Sequence, residues 1–237
     1  MKDYWTFSAI QESFQQTGYG TIVEINGLTW RQRGGDYVLL TPPGDVELSV
    51  PEGANLKRIR SLTWSAETIG IQPIKSASKC WYTPGDWNPE EKAENRRVLS
   101  KGNREGLKLK RVTEVELQQL LLDWAEDKSE HDPQVMVVKG HYKAMINHPG
   151  FEFLGFYSVE GLEGSIGYTR DGESSAIGFA KHHYGPWWLP RYMWLRVLQI
   201  LLPGSPKGVN CGDTADGLKA ALGFSSMKQF RVDFSKL

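Results

Sequence analysis

Several stretches of this 237-residue chain carry side chains able to do chemistry. His182 and His183 are adjacent, and a free imidazole titrates at about pH 6.5, so either can act as a general base at neutral pH. On a strand, neighbours point to opposite faces, so at most one of the two can face a cleft; an exposed pair at a strand end is the plain alternative. Lys181 beside them can hold a phosphate or simply end a strand in water. Trp187 and Trp188 can stack on a base or an adenine ring, or can close a packed loop together with Tyr184 and Tyr192. Between Lys92 and Arg111 stand eight Lys/Arg, Arg96 and Arg97 among them, against two Glu. Such a run docks phosphate-rich partners or forms the solvated face of a helix. Cys80 and Cys211 make neither a disulfide framework nor a metal motif. Cys211 can be a nucleophile or a small buried residue. Glu126, Asp127, Glu130, His131 and Asp132 share a loop but lack ligand spacing, so no metal is expected.

The chain that must position these groups is 40% hydrophobic and 24% charged, enough apolar surface for a core and too much for disorder. Lys+Arg 28 balance Asp+Glu 28, which excludes a globally basic nucleic-acid coat and an acidic tail. No apolar run is long enough to span a membrane. Met1–Trp5 lacks the apolar run of a signal peptide, and with two cysteines a reducing cytoplasm is the expected setting.

The first 90 residues read mainly as strands and turns. Thr21–Trp30 alternates and breaks at Asn26-Gly27, a hairpin signal. Asp36–Leu40 and Val46–Val50 are further short strands, Asn55–Ile69 is a possible helix, and Gln72–Tyr82 is extended. Pro89 after Asn88 is a helix start, predicting a helix over Glu90–Arg104. Leu107–Val112 reads as a strand. Thr113 with Glu116 forms a capping box for a helix with Leu117, Leu120, Leu121 and Trp124 on one face. After the polar loop Glu126–Pro133, Val135–Ile146 is a second helix. Phe151–Val159, Ser165–Arg170 and Ser175–His182 make an antiparallel meander. Pro190 opens a helix stopped at Pro203-Gly204. Lys207–Cys211 is a strand, and Asp213 or Thr214 caps a helix over Asp216–Leu222 with Gly223 beyond its end. Met227–Phe234 is the last strand.

This order, with the sequences Arg96–Leu107, His141–Ile146, Val209-Asn-Cys-Gly-Asp and Asp216-Gly-Leu-Lys-Ala-Ala-Leu-Gly-Phe, resembles the Gcn5-related N-acetyltransferase (GNAT) fold. Among its members the chain is most similar to the Fem-type aminoacyl transferases and the lipid-lysylating synthases, over roughly residues 91–237. The resemblance implies an α/β (α+β) fold. A mixed, mostly antiparallel central sheet would be flanked by helices, with a GNAT-like domain at 91–237. Residues 1–90 would form a β-rich N-terminal lobe, readable as a degenerate first GNAT half as in the double-GNAT Fem architecture. One departure stands out. Acetyl-CoA-using relatives hold pyrophosphate on the N–H groups of a glycine-rich turn. Here His182–Arg191 has one glycine and two prolines, and proline has no N–H. An aminoacyl-tRNA donor therefore fits at least as well as an acyl-CoA.

The resemblance implies acyl transfer to an amine in the gap where two central strands part, with lips at Ala180–Tyr184 and Asn210–Asp213. On that reading His182 or His183 is the base and Tyr184 or Tyr192 protonates the leaving group. Asn210 steadies the oxyanion, and Asp213 orients the acceptor amine or caps the following helix. Lys181, Trp187, Trp188, Tyr142, Arg96 and Arg97 would bind substrate. Lys219 joins them, at a slightly different offset from the family's lysine. The acceptor could be a small amine, a protein, or an aminated nucleobase such as those of hypermodified phage DNA. A different class of reading is an inactive GNAT-like module that binds RNA or DNA through the tryptophans and the basic helix.

Overall fold

The computed structural model describes residues 4, 7–17, 20–25, 28–33, 36–39, 60–61, 75–129, 135–183, 185–212 and 215–231. Alternating residues build the strands β1 (Thr21–Ile25), β2 (Leu28–Arg33), β3 (Asp36–Leu39), β4 (Arg60–Ser61), β5 (Lys75–Thr83) and β6 (Lys108–Arg111). They are followed by β7 (Glu152–Tyr157), β8 (Leu162–Asp171), β9 (Ser174–His182), β10 (Val209–Asn210) and β11 (Ser225–Arg231). All lie in one sheet, in the order β1-β2-β3-β4-β11-β5-β10-β9-β8-β7-β6. Among the described residues only β3 with β4 and β10 with β9 run parallel. β5, from the first 90 residues, lies between β10 and β11.

Among the described residues six α-helices cover the sheet: α1 (Ser8–Gln16), α2 (Ala93–Arg104), α3 (Glu114–Ser129), α4 (Val135–Ile146), α5 (Trp188–Leu201) and α6 (Asp216–Leu222). On one face α5 buries Leu195, Val197, Leu198 and Leu201 against Ile166, Tyr168, Ile177 and Val209, with Val98 and Leu99 of α2 beside them. Each such leucine contributes about 1.5–3 kcal/mol. On the other face Phe7, Ile10, Met145 and Phe151 form one cluster, and Leu117, Leu120, Leu121 and Phe179 a second.

The expected hairpin is present, with Ile25 opposite Leu28. The meander and the capping box are present too: the Thr113 N–H donates to Glu116 Oε2 at 2.9 Å, and the Glu116 N–H to Thr113 Oγ1 at 3.3 Å. Five expectations need correction. The N-terminal region also holds a helix, α1, whose Ala9, Ile10, Ser13 and Phe14 form a buried stripe. Of the expected helix at 55–69, only Arg60 and Ser61 are described, and they are strand, because Arg60 pairs with Arg231 and Val38. The helix near Pro89 begins only at Ala93. Asn88 Oδ1 takes the Glu90 N–H at 2.9 Å and Arg96 occupies the carbonyls of Glu90 and Glu91, so a turn wins. Part of the expected loop at 126–133 is helix, since α3 runs on to Ser129. The residue before α6 is Ala215, left-handed at φ 60° with no side-chain cap, and the Trp81 indole anchors this end by donating to Asp216 Oδ1 at 2.6 Å. The expected strand at 46–50 lies outside the described residues.

Candidate active site

β10 pairs with β9 at two positions only, Val209 with Ser175 and Asn210 with Ala176. Beyond them β9 runs on for six residues, paired with β8 alone. The two strands part because β10 turns away. Asn210 is buried, and its Oδ1 takes the Gly212 N–H at 2.9 Å and the Cys80 thiol at 3.6 Å, bracing that turn. At the same level β9 carries an extra residue. Ile177 faces Tyr168 and Phe179 faces Gly167, which leaves Gly178 as a bulge. A bulge re-aims backbone groups and twists the strand locally. A side chain there has no room: a Cβ on Gly178 would lie 2.8 Å from Phe151 Cε1 and 3.1 Å from Met145 Sδ.

The gap holds a cavity of about 180 Å³. β9 contributes Ile177–Lys181, α4 contributes His141 and Tyr142, α5 Trp194, α6 Lys219, and the turn after β10 Cys211 and Gly212. Tyr4 and Cys80 complete it, so the first 90 residues also wall the site. The Lys181 ammonium lies 3.9 Å from the Trp124 ring centre and 4.2 Å from that of Tyr142, held between two aromatic faces. Lys219 is buried, donates to the Cys211 carbonyl, and lies 5.2 Å from the Trp194 ring centre. Burial pushes the Cys211 thiol up to about 12, so it stays protonated and is no nucleophile.

A second depression of about 300 Å³ adjoins the first, sharing Ala180 and Lys181. His182 and His183 line it with Asp123, Trp124 and Asp127. His183 Nδ1 lies 3.7 Å from Asp123 Oδ2, whereas His182 Nδ1 contacts the His183 carbonyl at 2.8 Å.

Of the residues singled out in the sequence, the fold thus gathers Lys181, Lys219, Tyr142 and Cys211 in the cavity. Asn210 is buried behind the wall, bonded to Cys80 and Gly212, and His182 and His183 line the adjoining depression. The others lie apart. Trp188 is not in a loop: it opens α5 and is buried, because its ring packs edge-on to Tyr192. Tyr192 is buried too and spends its hydroxyl on Asn103 Oδ1 at 3.0 Å. Trp187 is exposed, with Arg191 5.3 Å from its ring centre. Arg96 is tied to α2's own entry turn, and Arg97 is exposed on α2. Asp213 and Tyr184 lie outside the described residues. Sequence reasoning missed His141, Tyr4, Cys80 and Trp194, since no local spacing marks them; His141 adjoins a residue that was chosen. Among the described residues no group of His, Cys, Asp or Glu could hold a metal ion, and no helix is long and apolar enough to cross a membrane.

No protein-family model and no curated protein matches the chain. Solved structures do. The C-terminal domain of a protein assigned as a lysylphosphatidylglycerol synthetase from Agrobacterium fabrum aligns with a TM-score of 0.64 at 12% identity, over 94% of this chain and 86% of that one. FemX aligns with a TM-score of 0.61 at 10% identity, over 96% and 90%. L-PGS from Bacillus licheniformis aligns with a TM-score of 0.61 at 11% identity, over 92% and 86%. The chain shares the fold of FemX and of these synthetase structures. At such identities the likeness is one of fold, and it spans almost the whole chain, including residues before 91.

Proposed function

We propose that this protein is an acyltransferase that moves an acyl or aminoacyl group from an activated donor to an amine, in the cavity between β9 and β10. The observation that carries the reading is the parting of these strands at Asn210 and Ala176, with the Gly178 bulge at the same level. Beyond Ala176 one edge of β9 has no strand partner among the described residues, and in this reading backbone N–H groups at that edge meet the bound carbonyl, as in other sites where fixed N–H donors meet developing negative charge. The donor in this reading is an acyl-CoA or an aminoacyl-tRNA. His183, near Asp123, takes the proton of the attacking amine, and Asp213 orients it. Aminated nucleobases in DNA belong among the acceptors to be assayed, beside small amines and peptides.

The test combines binding and turnover. A donor present at about 100 times its Kd adds about 2.7 kcal/mol of stability, an easily read thermal shift. Acetyl-CoA and charged tRNA should be screened this way, then mixed with amine acceptors and the products weighed. Ala180→Trp, which fills the cavity, is expected to abolish transfer, as are substitutions of Asp213 and His183. Nucleic-acid binding without transfer, unchanged by all three variants, would replace this reading with that of an inactive binding module.

A further inference from the structure

The reading above leaves several polar side chains of the cavity wall without a task, and His141 is one of them. His141 stands on α4 in the cavity wall, its ring centre 4.2 Å from that of Phe14 on α1 and 6.2 Å from that of Tyr142. Its Nδ1 is closed off from solvent and has no hydrogen-bond partner. The ring makes no hydrogen bond among the described residues, and Nε2 is not closed off, so Nε2 is the nitrogen that remains accessible. A buried orphan nitrogen is more easily tolerated as a bare lone pair than as an N–H, because orphaned donors are the rarer case. The positive charge of Arg31 nearby favours the lone pair as well. Burial first, and then Arg31, push this imidazole down to about 4, so it is neutral at physiological pH. The single ring proton then rests on Nε2.

We propose that His141 contacts the substrate directly, as a neutral imidazole whose Nε2–H donates a hydrogen bond to the carbonyl oxygen of the acyl group. This rests on the acyl-transfer reading. As the amine nitrogen bonds to the carbonyl carbon, the C=O π pair moves onto oxygen and the hydrogen bond from Nε2 strengthens. When the pair returns, the bond from carbon to the donor's sulfur or oxygen breaks, and the amine's proton leaves to the His183 side or to water. No proton moves to or from His141. A neutral donor suits this task, because it stabilises the oxyanion without surrendering a proton to it.

Two measurements test the assignment. Nitrogen-15 NMR of the whole chain, without ligand, reads the ring between about pH 5.5 and about pH 8. The expected state is neutral with the proton on Nε2 throughout. An imidazolium in that range, or a proton on Nδ1, overturns the proposal whether or not the chain transfers acyl groups. In turnover with acetyl-CoA or charged tRNA, His141→Phe is expected to lower kcat about 100-fold while KM changes less than about threefold. His141→Gln, which keeps an N–H donor, is expected to regain at least about tenfold of that loss. Equal losses in the two variants, or a loss confined to KM, overturn it. If the wild-type chain transfers from none of these donors, the acyl-transfer reading falls and this contact with it; the NMR result then shows separately whether the ring had the required form.

Discussion

At the scale of single residues, His141 links the site to stability. The unfolded chain binds a proton on this imidazole below its ordinary value of 6.5, while the folded chain refuses it until about 4. The stabilisation is therefore complete above the unfolded value and is lost as pH falls toward the folded one, amounting to about 3 kcal/mol. Denaturant midpoints measured from neutral pH down to about pH 4 are expected to fall less steeply for His141→Phe than for wild type. Parallel curves would mean that the folded imidazole is not held neutral. Two other residues show how burial redirects chemistry read from type alone. Cys211 is a nucleophile by type and an inert thiol in place. Lys219 sits on an amphipathic stretch where a lysine normally faces water, yet its ammonium is enclosed between a carbonyl and Trp194.

At the scale of elements, what holds the site open is a pair of packed layers meeting at a bulged strand. α2 and α5 approach closely because Gly102 has no side chain; a Cβ there would overlap the Tyr192 ring. Gly102→Ala is expected to destabilise the fold by about 1–3 kcal/mol, read as a lowered denaturant midpoint with unchanged slope. An unaltered midpoint would show that α2 can shift without cost. Trp188 and Tyr192 fill the interface between α2 and α5, so of the tryptophan pair only Trp187 faces solvent.

At the scale of the whole molecule, β6 ends the sheet, and its burial pattern leaves Lys108, Lys110 and Arg111 exposed. Charges on an edge strand block pairing with a second chain. Three of the eight basic residues of the run thus have a structural task that needs no nucleic acid, and Lys110 also lies 3.9 Å from the Tyr157 ring centre. The double variant Lys108→Val, Lys110→Val is expected to associate with rising concentration in size-exclusion chromatography, while wild type does not. The far part of the same sheet is built by the first 90 residues together with β11: β5 lies beside β10, and α1 packs Phe7 and Ile10 against Met145 and Phe151.

The sequence by itself determined most elements of the C-terminal two thirds. Asn26-Gly27, the Thr113–Glu116 box, the 3.6-residue stripes of α3 and α5 and the glycine after α6 are local signals, and local backbone and capping energetics suffice to act on them. It also ordered those elements well enough to reveal the fold. Only the tertiary structure decided which residues share the cavity. His141, Tyr4, Cys80 and Trp194 come from four distant segments, and their meeting depends on where β10 leaves β9 and how α1 seats on α4. Those are long-range packing outcomes, which no period along the chain encodes. The same holds for the short strand at Arg60–Ser61: its pairing with β11 outweighed a weak helical preference, because a two-residue strand exists only when its partners are already in place.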